Sequence, residues 1–172
     1  MGRQGMLFPP VLDACCGSRK FWFDAEDPRA LFIDKRDEEH EVSDPSKATG
    51  IRRLVISPDV IADFREMPFE DETFSLVVFD PPHVKANRTG SGSRIAAMYG
   101  TLGQDWREDL ALGFRECFRI LKSNGVLVFK WAETNIRLSE VLELAPQRPL
   151  FGNKMPKTAG THWIVFMKDG AS

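Results

Sequence analysis

A chain of 172 residues fits one domain with a core of its own. Its composition is that of an ordinary globular protein, and a formal net charge of -2 excludes a coat of basic charge for nucleic acid, so any polyanion must be met by a local patch. No apolar run approaches the ~20 residues of a membrane span. Residues 1–10 hold no signal-peptide core either, so a cytoplasmic protein is expected. Cys15, Cys16 and Cys117 are odd in number and two are adjacent, which fits no disulfide framework. His40, His83 and His162 are scattered and supply no second half of a zinc site, so no metal and a reducing compartment are expected.

Short apolar runs alternate with helical stretches, which predicts an α/β fold with a mainly parallel, doubly wound sheet. Residues 11–15 read as a short buried strand closed by Gly17. Residues 18–24 have room for about two helical turns before Pro28 stops them. Residues 30–33 form a second buried strand, ended by Asp34. The acidic crowd Asp37, Glu38, Glu39 and Glu41, with the polar stretch to Gly50, reads as a solvated loop. Residues 53–57 are apolar enough for a strand, and with no helix in between they are expected to pair back on the second strand. Residues 59–62 read as a third short core strand, followed by Asp63 and Phe64. Residues 74–79 are the clearest strand, a continuous apolar run that ends on Asp80.

Residues 84–104 are glycine-rich, carry Lys85, Arg88 and Arg94, and contain no acid. A loop of about 20 residues in a compact domain is usually a functional lid or a disordered segment, and this one is expected to serve as a flexible substrate loop. Residues 105–121 place Trp106, Leu110, Phe114, Cys117, Phe118 and Leu121 on one helical face. Asp105 and Glu108 have capping-box spacing, and Asn124-Gly125 is expected to end the helix in a turn. A strand at 126–129, a short helix at 135–144 and a closing antiparallel pair at 149–153 and 162–167 complete the chain. Asp13, Asp34, Asp63 and Asp80 fall at or near the carboxyl ends of predicted strands, where such sheets bind ligands. Trp22, Trp131, Trp163 and Phe151 read as core, and Cys15 and Cys16 as small buried residues.

Two segments carry a resemblance: Asp13-Ala14-Cys15-Cys16-Gly17-Ser18, and Asp80-Pro81-Pro82-His83 after its apolar strand. With them the chain resembles class I S-adenosylmethionine-dependent methyltransferases. The second segment is similar to the Asp-Pro-Pro-aromatic motif of amino-nitrogen methyltransferases, above all the small phage and prophage adenine-N6 enzymes. The resemblance implies S-adenosyl-L-methionine as cofactor and a seven-stranded sheet, six strands parallel and one antiparallel in a C-terminal hairpin. It implies that Asp13, Ala14, Cys15, Cys16, Gly17 and Ser18 wrap the methionine part of the cofactor. Asp34 would accept the ribose hydroxyls, Asp63 would bind the adenine amine with Phe64 packed on that ring, and Arg19 or Lys20 would meet the carboxylate. The chain departs from the family in having one glycine, Gly17, in its first loop, and His83 where Tyr, Phe or Trp is more frequent.

The chemistry suits these residues. An exocyclic amine is a poor nucleophile because its lone pair is delocalised into the ring. Acceptors for both N–H hydrogens pull the nitrogen toward tetrahedral geometry; Asp80 supplies one, and the Pro81 carbonyl, stiffened by Pro82, supplies the other. His83 would stack on the substrate base, which in a duplex must first be flipped out. Lys85, Arg88 and Arg94 would meet phosphates. The expected substrate is adenine N6 in DNA or RNA. The alternatives are cytosine N4, a protein glutamine, or a cofactor-binding subunit without catalysis. A nicotinamide enzyme lacks support because no Gly-x-Gly-x-x-Gly follows the first strand. No obvious target-recognition segment is present, so three outcomes stay open: poor sequence selectivity, reading of an RNA shape, or dependence on a second copy or a partner subunit.

Overall fold

The structure is a computed structural model and describes residues 8–85, 100–153 and 160–170. In chain order the strands are β1 Val11–Asp13, β2 Ala30–Asp34, β3 Glu38–Ser43, β4 Ile51–Ile56, β5 Val60–Ile61, β6 Phe74–Phe79, β7 Leu121–Ala132, β8 Phe151–Gly152 and β9 Thr161–Met167. The helices among the described residues are α1 Trp106–Ile120 and α2 Leu138–Leu142. Seven strands form one sheet in the order β5-β2-β1-β6-β7-β9-β8, and β3 pairs with β4 as a separate hairpin. β1, β2, β5, β6 and β7 pair in parallel, while β9 runs antiparallel to both β7 and β8. This is the expected mainly parallel sheet with its C-terminal antiparallel hairpin.

Strand periodicity of two explains the two faces of this sheet. Leu31, Leu12, Val77, Leu127 and Phe166 lie in one register row, and α1 covers that face. The Phe114 ring packs 5.5 Å from Phe79 and 4.9 Å from Phe129. Burying such a side chain contributes roughly 1.5–3 kcal/mol. Helix and sheet approach closely at Gly113, where an added Cβ would sit 2.6 Å from Phe79 and 2.7 Å from Phe64.

The row Phe32, Asp13, Val78, Val128, Val165 lies on the opposite face. There the chain between β1 and β2 forms turns, and the helix expected at 18–24 is not made. Gly17 and Arg19 take positive φ, 49° and 53°, and an α-helix does not tolerate left-handed residues. Trp22 then turns inward, its ring 4.9 Å from Phe32.

Other expectations are also corrected. The acidic stretch after Asp34 is a strand, because β4 brings cations to it: Arg53 bonds Glu39, and Arg52 pairs with Asp44 at 3.2 Å. Its interior positions, Val42, Leu54 and Ile56, are buried. β4 therefore pairs with β3 and not with β2, whose outer edge is taken by β5. β5 is a two-residue edge strand with Ile61 exposed, not a core strand. α1 runs straight into β7 at Leu121, so Asn124, at φ 61°, lies inside the strand and does not cap the helix. The Asp105 side chain makes no cap hydrogen bond. Among the described residues no helix is long and apolar enough to cross a membrane.

Candidate active site at the strand ends

The order β2-β1-β6-β7 brings the carboxyl ends of β1, β2 and β6 side by side. An open cleft lies there. Of the residues expected around a cofactor, Ala14, Cys15, Cys16, Gly17, Ser18, Asp34 and Phe64 line it. Gly17 makes the turn possible through its positive φ. Asp34 ties the first loop to β2: its Oδ2 accepts the Gly17 N–H at 3.0 Å, and its Oδ1 accepts the Arg36 N–H at 3.0 Å and Nε at 3.1 Å.

Asp13 and Asp63 differ from expectation. Asp13 is wholly buried and is not among the lining residues. Its carboxylate accepts the Trp22 indole N–H at 2.7 Å and the Cys15 N–H at 3.2 Å. Burial outweighs these bonds and pushes its pKa up to about 7. Asp63 also lies off the cleft lining, and its Oδ2 accepts from Arg65 at 2.7 Å. Arg65 in turn reaches Asp109 on α1 at 2.8 Å. Phe64 does face the cleft, with its ring 5.3 Å from Phe79. Arg19 turns away to the carbonyls of Ala25 and Ser57 and to Asp59, so Lys20 is the member of that pair that lines the cleft.

Asp80 follows β6 and lines the same cleft, as does Pro82. Its Oδ2 accepts a hydrogen bond from Lys130 Nζ at 2.5 Å. Burial pushes the Asp80 carboxyl up, and the Lys130 charge and hydrogen bond oppose that rise. His83 sits edge-on to Trp131 with ring centroids 6.2 Å apart. Burial pushes the imidazole pKa down, with the Asp80 charge opposing. That direction favours the uncharged ring of His83.

The described ends of the segment 84–104 meet beside this site. Leu102 N–H donates to the Val84 carbonyl at 2.8 Å, and an added Cβ at Gly100 would lie 3.3 Å from Pro82 Cγ. Lys85 Nζ stands 5.2 Å from the Trp106 ring centroid, a cation–π arrangement. Arg88 and Arg94 lie outside the described residues.

Lys130, Phe21 and Arg36 line the cleft and were not singled out from sequence. Lys130 had a usable signal: it is the one charged residue in the apolar run 126–132. Among the tryptophans, Trp131 is core, its indole bonded to the Ile136 carbonyl, whereas Trp163 is half-buried and packs 5.5 Å from Phe21. Phe151 is exposed on β8. Burial raises all three cysteine thiols, Cys16 to about 12, so none is poised as a thiolate.

No protein-family profile and no curated protein matches this sequence. Solved structures do. An rRNA methylase from Streptococcus thermophilus aligns over 95% of this chain and 91% of its own, at 11% identity and a TM-score of 0.52. A chain of the Haloferax volcanii complex containing the Trm112 methyltransferase activator aligns over 99% and 86%, at 14% identity and a TM-score of 0.52. A TehB-like SAM-dependent methyltransferase from Corynebacterium glutamicum aligns over 92% and 79%, at 15% identity and a TM-score of 0.50. The fold is that of the class I methyltransferases. Identities this low speak for the fold alone.

Proposed function

We propose that this chain is an S-adenosylmethionine-dependent methyltransferase acting on an exocyclic amino nitrogen, foremost adenine N6 in DNA or RNA. The observation that carries the proposal is Asp80: a nearly buried carboxylate ahead of Pro81-Pro82, on the wall of a cleft built by the first loop and Asp34.

The residues fit the cofactor. The cleft offers an apolar wall in Ala62 and Phe64, a cation in Lys20, and a turn of positive φ at Gly17. Asp34 already accepts one hydrogen bond from Gly17 and three from Arg36, which fill its about four lone-pair sites, so ribose hydroxyls would be accepted there in exchange for bonds from the Arg36 side chain. Phe64 would pack on the adenine. Asp63 is engaged by Arg65, so an adenine contact through its side chain is not proposed. Asp13 supports the loop from beneath through Cys15 and Trp22. When bound, S-adenosylmethionine supplies a methyl group already activated on a sulfonium, so no metal is required.

The chain's own task is orientation. Asp80 and the Pro81 carbonyl accept the two N–H hydrogens and expose the nitrogen lone pair to the cleft. Loss of one such aimed group commonly costs roughly 3 kcal/mol of barrier. Asp80 need not be a strong base, because the nitrogen becomes acidic once alkylated and sheds its proton afterwards. His83 offers a ring for stacking, and Lys85, with Arg88 and Arg94, would meet phosphate. Target selection by a second copy or a partner subunit is part of the proposal, prompted by the neighbour from an activator complex.

Binding and transfer test this. S-adenosylhomocysteine is expected to raise the melting temperature and NAD to leave it unchanged. Labelled methyl offered with DNA, transfer RNA, ribosomal RNA and protein pools, then digestion and mass spectrometry, should yield N6-methyladenine. A melting temperature indifferent to S-adenosylhomocysteine would overturn the cofactor assignment. A methylated product without an amino nitrogen would overturn the acceptor assignment.

A further inference from the structure

Lys130 has no part in the roles above, yet it is placed with unusual care. It sits mid-strand in β7 between Phe129 and Trp131, two fully buried aromatics. Its stem rises on the other face, in register with Trp163 of β9. Nζ reaches Asp80 Oδ2 at 2.5 Å across a pair of side chains 17% and 9% exposed. Phe21 and Trp163 stand 5.4 and 5.8 Å from the ammonium, offering aromatic faces. Such faces attract a cation electrostatically without competing for its bond to Asp80.

A nearly buried ion pair is a weak source of stability, because desolvation offsets most of its Coulomb gain. Its value here is chemical. A protonated Asp80 would turn an O–H donor toward an amine whose hydrogens need acceptors. An unanchored carboxylate would rotate. Resting on the function proposed above, we propose that Lys130 is the positioning residue of the acceptor site: it clamps the Asp80 carboxylate as an acceptor-only anion, with Oδ2 anchored and Oδ1 left for an N–H of the substrate amine.

The surroundings make the clamp necessary. Burial is the largest influence on Asp80 and favours its neutral form; Lys130 is the largest influence against it, and His83, on the same segment, adds a smaller one only when it is protonated. From the end of β1, Asp13 and Cys15 face the Asp80 charge and bring no cation. Lys20, Asp34, Lys35 and Arg36 line the same cleft from the turn after β1 and the end of β2. Of the groups on neighbouring strands, Lys130 is the one hydrogen-bonded to Asp80.

Lys130→Met and Lys130→Arg test the clamp by two readouts. The first is a carbon-13 NMR titration of the Asp80 carboxyl in cofactor-free protein. Met should move that titration to higher pH by about one unit or more, and Arg should leave it close to the original. The second is the pH profile of kcat/KM for methyl transfer. Its acid limb should move upward with Met by the same amount, about a tenfold loss on the acid side, and hold its place with Arg. Should the Met chain fail to fold, Lys130→Gln, a donor without charge, is expected to show the same upward shift. Superimposable titrations and profiles for the neutral variant and the original would overturn the clamp. That failure is distinguishable from failure of the function itself, in which the original chain would neither bind S-adenosylhomocysteine nor transfer methyl to any pool.

Discussion

Asp13 and Asp80 stand at the ends of neighbouring strands, and both are nearly or wholly shielded from water. Their partners differ. Asp13 is held by two neutral donors, the Trp22 indole and the Cys15 amide, and its pKa rises to about 7. Asp80 is held by an ammonium, and it opens on the cleft where Asp13 does not. Burial alone therefore does not mark a reacting carboxylate. A neutral cage makes Asp13 a lock on the first loop, whereas a cation on one oxygen makes Asp80 an anion with a second oxygen to offer.

The sharpest way to break this contrast is to exchange the two losses. Asp80→Ala is expected to lower methyl transfer by roughly 10²–10³-fold while the thermal shift with S-adenosylhomocysteine persists. Turnover equal to the original would remove Asp80 from the chemistry and erase the distinction.

Asp13→Asn should act on stability, with a definite sign in pH. The folded-state pKa of Asp13 is raised above the unfolded value, so the folded chain binds more protons between about pH 4 and 7. Its contribution is present below that window and is lost as pH rises through it. Denaturant melts should therefore show the Asn variant gaining on the original by a few kcal/mol between pH 4 and 8. A constant difference across that range would mean that Asp13 is not held with a raised pKa.

Trp22→Phe is the finest probe. It keeps a ring against Phe32 and deletes the N–H that Asp13 accepts. A loss of about 1–2 kcal/mol is expected, larger at pH 8, where the orphaned group is an anion, than at pH 5. Equal losses at the two values would show that the indole contributes by packing and not by its hydrogen bond.

Much of the frame was legible because it is local. Residues 74–79 are apolar without a break and form β6; the helix at 105–121 follows its 3.6-residue stripe, and every stripe residue is buried. The first loop and Asp80 fall on one cleft, as strand ends of a parallel sheet must. The misread parts are those where a distant partner overrides local character. Glu38–Ser43 resembles solvent-exposed loop until Arg52 and Arg53 are set beside it. Residues 18–24 have helical room, but left-handed residues at Gly17 and Arg19 and an inward Trp22 spend it on turns.

By itself the sequence determined where the main buried strands and the long helix lie, and that Asp80-Pro81-Pro82-His83 follows a strand, because apolar periodicity is written within ten or fifteen residues. Which acids meet, and in what charge state, was decided by tertiary structure. Lys130 lies 50 residues from Asp80, and only the parallel pairing of β6 with β7 sets its ammonium against that carboxylate. The charge of a buried group depends on its neighbours in space, and those are supplied by strand order.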